Sequence, residues 1–333
     1  MSRCTVMGSG SWGTAFAMVL ADAGATVTVW GINEQVAESI NTGRGNPDYH
    51  PGIELPASIR ASTDATEALA GSELVVIAVP AQALRSNLSS WGQYIPDDAP
   101  VLSLMKGIEW GTMLRMTEVI AEVAEIDGDR LAALSGPNLA REIAQRQPAA
   151  TVIASASQST ADVIQRACFT SYFRPYTNTD LVGTELAGSI KNVVALSTGM
   201  AAGMGFGDNT QASLITRGLA EMTRLGLAMG ADLTTFMGLA GVGDLIATCS
   251  SPLSRNRTFG ENLGRGLSVA EVEAITKQTS EGVKSCQPIH ELAQAHQVEM
   301  PITAEVVRVV HEGVSPRQAL TDLMARQAKP EAV

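Results

Sequence analysis

Positive charge is what this chain has too little of. Among its 333 residues, 23 are Lys or Arg and 34 are Asp or Glu, for a formal net charge of -11 at pH 7. An acidic chain repels nucleic acid and anionic membrane surfaces, so neither is an expected partner. An anionic substrate would then need a locally basic pocket. Cysteine is scarce as well: Cys4, Cys168, Cys249 and Cys286 lie far apart, with no CxxC pair. A chain of this size builds a core without disulfides, so reduced thiols are expected, and no metal site is read. No apolar run approaches the ~20 residues of a membrane span. Residues 1–7 enter a strand pattern directly, with no basic region followed by a signal-type apolar segment. Internal repeats and low-complexity segments are missing too. The expectation is a cytoplasmic protein with no membrane insertion.

Aromatic residues make up 4% and charged residues 17%, while 45% of the chain is hydrophobic. Alanine, glycine and methionine fill much of the rest, which suits closely packed helices. The length suggests two domains. Short apolar runs read as strands at Arg3–Met7, Thr26–Trp30, Leu74–Val79, Pro100–Leu104, Leu131–Leu134, Ala149–Ala154 and Tyr172–Tyr176. They are apolar at consecutive positions, as expected of strands covered on both faces. Helix-length segments alternate with them: Gly13–Ala23, Leu84–Trp91, Thr112–Glu125 and Ser159–Cys168. That alternation indicates a parallel, doubly wound α/β sheet.

After about residue 180 the strand pattern stops. Leu181–Met200 reads as one long apolar helix. Asp208 or Asn209 caps a second, with Leu214, Ile215, Leu219, Met222 and Leu225 on its buried face. Further helices are expected at Ser268–Lys277, Ile289–His296, Ala304–Glu312 and Ser315–Arg326. The division is therefore 1–180 for the sheet domain, 181–327 for an all-α C-terminal domain, and a frayed tail at 328–333.

Gly8-Ser9-Gly10-Ser11-Trp12-Gly13 follows the first strand and opens the first helix. Gly8 permits the tight turn, Gly10 lets the backbone approach a pyrophosphate, and Gly13 lets helix pack on strand. GxGxxG alone is weak, but here it sits inside a complete strand-turn-helix-strand unit, the N-terminal half of a Rossmann domain. NAD or NADP is the expected cofactor. The second strand ends at Ile32-Asn33 without the acidic residue that would bond the adenosine ribose, and Glu34 falls late. Ser11 and Trp12 line the pyrophosphate and nicotinamide, or Trp12 is a packing aromatic. Pro80, Lys106-Gly107 and Ser135-Gly136-Pro137-Asn138 each follow a strand, so three loops converge on the carboxyl edge where such sheets bind ligands. Lys106 there reaches a phosphate or a substrate oxygen, or is a solvated surface lysine.

A dehydrogenase needs a group that holds the carbinol proton while hydride moves. His50, His290, His296 and His311 lie in a proline-rich loop or polar helices and read as surface residues. Lys191 is the only charged residue between Glu185 and Asp208, inside an apolar run. It must snorkel, pair with Glu185 or Asp244, or face a cleft. Desolvation or a second cation such as Lys106 would lower its pKa toward proton transfer. Asn192 beside it can bond a substrate hydroxyl. Gly241-Val242-Gly243-Asp244 and Thr248 offer a carboxylate and a hydroxyl. Ser254-Arg255-Asn256-Arg257 reads as a short basic loop suited to a phosphate, or as a helix-capping loop with solvated arginines.

With these residues the chain resembles the NAD(P)-dependent glycerol-3-phosphate dehydrogenases of bacterial type. The shared elements are Gly8 to Thr14, Asn46-Pro47-Asp48-Tyr49-His50-Pro51-Gly52-Ile53-Glu54-Leu55-Pro56, Lys106-Gly107, Ser135-Gly136-Pro137, Ile190-Lys191-Asn192, Gly205-Phe206-Gly207, Thr216 to Met222, Gly241 to Asp244 and Ser254 to Arg257. The resemblance runs from about residue 4 to 325. It implies reversible reduction of dihydroxyacetone phosphate to sn-glycerol 3-phosphate for glycerophospholipid synthesis, with Lys191 as general acid/base. It implies that Lys106, Asp244, Arg255 and Asn256 line the substrate pocket, joined by Gly136, Asn138 and Ser254. Lys106, Arg255, Ser11, Trp12, Ala140 and Glu281 would reach the cofactor. Four positions depart from the family pattern. Ile32 stands where some members have a polar or basic residue, Asn138 where a small hydroxyl is frequent, and Thr279-Ser280 where an apolar pair precedes Glu281. The alternatives are a related dehydrogenase acting on a hydroxy acid or sugar acid, and a nucleotide-sensing regulator without turnover. A homodimer is the default assembly. The 41–56 loop invites a lid role.

Overall fold

The structure is a computed structural model that describes residues 2–276, 280–327 and 330. Lys277, Thr279 and the expected tail at 328–333, apart from Pro330, lie outside the described residues.

Eight strands form one sheet: β1 Arg3–Met7, β2 Thr26–Trp30, β3 Ile59–Ser62, β4 Leu74–Ile77, β5 Val101–Ser103, β6 Leu131–Ser135, β7 Ala149–Ala154 and β8 Phe173–Asn178. Their order is β3-β2-β1-β4-β5-β6-β7-β8. The helices among them are α1 Ser11–Asp22, α2 Glu34–Asn41, α3 Ala65–Leu69, α4 Leu84–Trp91, α5 Met116–Ala124, α6 Ala140–Ala144 and α7 Gln158–Cys168. One sheet face packs Val6, Val29 and Val76 with Phe16 of α1; the other packs Met7, Val75 and Ile77 with Leu84 and Trp91 of α4. Burial on both faces explains why these strands are apolar at consecutive positions.

Two features depart from the expectation of a parallel sheet with seven strands. The edge strand β3 escaped notice because Ile59-Arg60-Ala61-Ser62 buries only Ile59 and pairs only with β2. More consequentially, β7 runs antiparallel to β6, with Ala133 opposite Ala154 and Ser135 opposite Val152. The chain between them therefore never crosses back over the sheet. It stays at the carboxyl end, which keeps residues 136–148 on the edge where ligands bind.

Beyond β8 all described elements are helical: α8 Leu181–Gly203, α9 Asp208–Ala228, α10 Leu233–Met237, α11 Asp244–Ser250, α12 Arg255–Gly264, α13 Val269–Ile275, α14 Glu281–Ala295, α15 Pro301–His311 and α16 Pro316–Met324. In α9 the cap is Gly207 rather than Asp208 or Asn209. Met222 and Leu225 are fully buried, whereas Leu214, Ile215 and Leu219 are half-buried. The helix expected from Ile289 starts at Glu281 and carries Pro288 within it.

The axis of this region is α8, buried from Gly183 through Ala201. Its tightest neighbour is α12. A Cβ on Gly199 would lie 2.1 Å from Arg257 O, on Gly203 2.1 Å from Glu261 O, on Gly260 2.1 Å from Leu196 O and on Gly264 2.2 Å from Met200 O. Glycines four apart on each helix thus let the two backbones touch. This contact fixes where the first turn of α12 sits against the middle of α8. Gly260→Ala should cost about 3 kcal/mol, the upper end of overpacking costs, because the obstacle is backbone and cannot rotate away. Urea denaturation of the variant checks this.

Candidate active site

The glycine-rich turn is shaped by contacts that no side chain would tolerate. Gly8 has φ 134°, and a Cβ there would lie 2.5 Å from Ala78 O. A Cβ on Gly13 would lie 2.0 Å from Gly8 O. Gly10 is different: a Cβ there would meet nothing within 4 Å. As the N-cap of α1 it offers no side-chain acceptor, and the first turn holds no acidic residue. The leading amides of α1 thus have no side-chain cap, and the space beside Gly10 fits a diphosphate. Ser11 and Trp12 begin this helix. Trp12 packs edge-on against Phe16 at 5.7 Å, and its buried Nε1 has no partner.

The 41–56 loop is pinned to this turn. Asn46, fully buried, donates to Ser9 O and Thr14 Oγ1, both at 2.9 Å. His50 Nε2 donates to Ser11 O at 2.7 Å. His50 is 2% exposed, which corrects the expectation that all four histidines are surface residues. The misreading arose because proline and glycine around His50 signal a surface loop, while the loop folds inward. At the tip of β2, Ile32 is 86% exposed. Asn33 caps α2, its side chain accepting from Gln35 N and Val36 N.

The charged centre lies beyond the carboxyl ends of β5 and β6. Lys191, from α8, donates to Asp244 Oδ1 at 2.5 Å and Thr248 Oγ1 at 2.7 Å. Lys106, on the loop after β5, donates to Asp244 Oδ2 at 2.6 Å and Gly136 O at 3.2 Å. Ser135 Oγ and Gly136 N also donate to that oxygen, at 3.3 Å each. Asp244 is 1% exposed and opens α11 directly after a widened π-type turn, Leu239–Gly243. Of the partners weighed for Lys191, Asp244 is the one it meets. Glu185 points instead to Arg115 and Thr117. Burial would raise the Asp244 carboxyl, but Lys106 and then Lys191 outweigh it and hold it below the usual range. Burial drives Lys191 down, Asp244 pulls it back and Lys106 pushes it down again, leaving it at about 7. Two ammonium groups on one carboxylate are over-subscribed, and so one of them releases its proton readily.

A second hydrogen-bonded path joins the flanking elements. Asn192 Nδ2 donates to Lys106 O at 3.2 Å, and its Oδ1 accepts from Asn256 Nδ2 at 3.0 Å. Asn256 Oδ1 in turn accepts from Gly282 N at 2.9 Å. Of the two readings of Ser254 to Arg257, the helix cap is the one that forms, with Arg255 to Arg257 in the first turn of α12. Ser254 is the buried N-cap of α12 and accepts from Arg257 N at 3.3 Å. Arg257 turns along the helix to Glu261. Arg255 is exposed on one side of the cleft while protein crowds its other side: burial lowers its pKa, and Glu281 and then Tyr49 pull it back. Glu281 opens α14 and accepts from Ala81 N at 3.3 Å. Ala140 opens the short α6 and is half-buried. Asn138 Nδ2 donates to Thr151 Oγ1 at 3.0 Å, while its buried Oδ1 has no partner. Thr279 lies outside the described residues.

Residues 3–161 match the family model for the NAD-dependent glycerol-3-phosphate dehydrogenase N-terminus, and residues 180–321 match the model for its C-terminus. The chain belongs to the NAD-dependent glycerol-3-phosphate dehydrogenase family. It is 62% identical over 329 residues to glycerol-3-phosphate dehydrogenase [NAD(P)+] of Streptomyces griseus, covering 99% of this chain and 98% of the relative. It is 60% identical to the protein of that name from Thermobifida fusca, covering 99% of each. Among solved structures, glycerol-3-phosphate dehydrogenase of Coxiella burnetii superposes with a TM-score of 0.92 at 36% identity, covering 98% of this chain and 99% of that one.

Sequence reasoning placed this dehydrogenase family member's two lysines and Asp244 but passed over their support. Thr248 was noted only as a nearby hydroxyl. It stands four residues after Asp244 on one helix, so it falls on the same face. Ser135 Oγ, Asn46 and the Glu185–Arg115 pair went unassigned, since each depends on contacts distant in sequence. Asp244→Asn would leave the buried Lys191 amine and the half-buried Lys106 ammonium without a counter-charge. It should cost about 3–5 kcal/mol of stability, read by thermal and urea unfolding, and weaken turnover as well.

Proposed function

We propose that the cluster of Lys191, Lys106 and Asp244 beside the glycine-rich turn carries the chemistry of a glycerol-3-phosphate dehydrogenase [NAD(P)+]. The reaction is the reversible reduction of dihydroxyacetone phosphate to sn-glycerol 3-phosphate, which feeds glycerophospholipid synthesis. The observation that carries this reading is the sharing of one buried carboxylate between two lysines at the carboxyl edge of a Rossmann sheet.

Residues 1–180 serve as the dinucleotide-binding unit and 181–327 as the unit that brings Lys191 and Asp244 to it. Gly8, Gly10, Ser11, Trp12 and Gly13 hold the diphosphate end of NAD or NADP. Ala140, Glu281, Arg255 and Lys106 flank the remainder. Bound nicotinamide supplies or accepts the hydride at its C4. When the C2 carbonyl of the substrate is reduced, Lys191 gives its proton to the forming alkoxide; in the reverse direction neutral Lys191 removes the hydroxyl proton. Lys106 stabilises the charge on that oxygen, and Asn192, bonded to the Lys106 carbonyl and to Asn256, holds that lysine's backbone. Arg255 binds the substrate phosphate and so orients C2 toward the nicotinamide. Asn256, Ser254, Gly136 and Asn138 shape the pocket around it. The basic trio of Lys106, Lys191 and Arg255 is the local positive pocket that an acidic chain needs for an anionic substrate. The described helices include none long and apolar enough to cross a membrane. A homodimer in the cytoplasm completes the reading.

Initial rates with dihydroxyacetone phosphate, run in parallel with NADH and NADPH, test the assignment. Oxidation of at least one cofactor is expected. No oxidation of either, by protein that binds a dinucleotide, would overturn the substrate and send the search to hydroxy acids. Lys191→Ala should lower turnover by ~10²–10⁴-fold, the usual worth of a general acid/base, while dinucleotide affinity holds. The pH profile follows from the lowered Lys191 pKa of about 7. Reduction needs the protonated amine, so its rate should fall as pH rises through about 7; oxidation needs the neutral amine, so its rate should rise across the same range.

A further inference from the structure

The reading above assigns no role to Glu185, Arg115 and Thr117. Glu185 is 5% exposed, on α8 between the start of the helix and Lys191. Its carboxylate accepts from Arg115 Nη1 at 2.6 Å, Thr117 Oγ1 at 2.6 Å and Thr117 N at 2.9 Å. Both partners belong to the stretch of chain that carries Lys106. Just past Lys106, Ile108 pairs antiparallel with Arg115, and Glu109 N donates to Leu114 O at 2.9 Å, so residues 108–115 form a closed hairpin. Whatever holds Arg115 therefore holds the base of the Lys106 loop.

The same face of α8 meets Lys106 twice more. A Cβ on Gly188 would lie 3.4 Å from Lys106 Cγ and 3.6 Å from its Cδ, so the lysine stem lies across the helix at that glycine. Asn192 then bonds the Lys106 carbonyl. Glu185, Gly188 and Asn192 are spaced i, i+3, i+7, one stripe of a helix. Such fastening has a physical need. Lys106 and Lys191 repel each other across Asp244, and an unfastened Lys106 would relax toward water.

We propose that Glu185, through Arg115 and Thr117, is a positioning residue that holds the Lys106 loop on α8 and so sets the spacing of the two lysines about Asp244. The proposal rests on the dehydrogenase reading for its kinetic consequences but not for its geometry. Arg115 and Thr117 are anchors of the loop; none of the three touches the reacting atoms.

The test uses the full chain with Glu185→Gln, and with Glu185→Gln combined with Arg115→Met, which removes a guanidinium left with Glu118 as its carboxylate partner. Amine-reactive labelling with mass spectrometry reads Lys106 directly. Its labelling should rise severalfold in both variants relative to the exposed Lys284, whose side chain pairs with Glu273. The specificity constant for dihydroxyacetone phosphate should fall tenfold or more. The pH midpoint of the reduction rate should move up by about half a unit or more, because a receding Lys106 depresses Lys191 less. Parent-like labelling together with an unmoved pH midpoint, in folded variants, would reduce Glu185 to a structural ion pair and overturn the proposal. If both variants fail to fold, Thr117→Val removes one hydrogen bond and no charge; raised Lys106 labelling supports the anchor and unchanged labelling overturns it. Absence of turnover in the unaltered protein would count against the dehydrogenase reading instead, and Lys106 labelling would still decide the anchor.

Discussion

Asp244 divides its two carboxylate oxygens between Lys191 and Lys106, at 2.5 and 2.6 Å, in a place that is 1% exposed. Burying Asp244 and Lys191, with Lys106 half-buried beside them, is costly unless each charge finds a partner at close range. The fold meets that condition by delivering the groups from separate elements: Lys106 from the end of β5, Lys191 from the middle of α8 and Asp244 from the first residue of α11. Gly136 N and Ser135 Oγ at the end of β6 supply further donors to the same carboxylate. The reversal of β7 keeps that segment at the ligand edge.

Close approach of backbones makes this delivery exact. α8 and α12 touch through glycines on both helices, which brings Asn256 against Asn192 and sets Arg255 at the cleft. On the sheet side, Gly8 and Gly13 draw α1 onto β1 and β4, so its uncapped first turn stands at the carboxyl end of β1. The pinned loop of Asn46 and His50 holds that turn from outside. A single charged centre thus joins a rigid dinucleotide turn and a rigid helical axis, and neither unit carries all of its charges alone.

What was legible in the sequence was what is local. Gly8 to Gly13 spells a phosphate-binding turn because its chemistry lies within six residues, and Lys191 stands out because an apolar helix rarely carries a charge. The all-helical second half and most strands follow from apolar periodicity. Other features were illegible for physical reasons. β3 buries too little to show as a strand. The antiparallel β7 has the same apolar pattern as a parallel one, since periodicity carries no direction. The polar residues Ser254 to Arg257 left a phosphate-binding loop and a helix cap both open; the cap forms, and the Gly260–Gly264 spacing sets its helix on Gly199 and Gly203. His50 looked exposed because composition reports the loop and not the direction in which it folds. Among the residues carried over through family resemblance, Asn256 and Ser254 spend polar atoms on protein partners, which makes them supports of the α8–α12 contact.

The central claim is electrostatic: crowding by burial and by a second lysine makes the Lys191 ammonium a weak holder of its proton. The most direct measurement is an NMR titration of the lysine side chains in isotopically labelled protein, with Lys191→Arg used to assign the Lys191 signal. The account predicts a midpoint of about 7 for Lys191. A midpoint near the ordinary lysine value of 10.5 would show that Asp244 outweighs burial and Lys106, and would contradict the account.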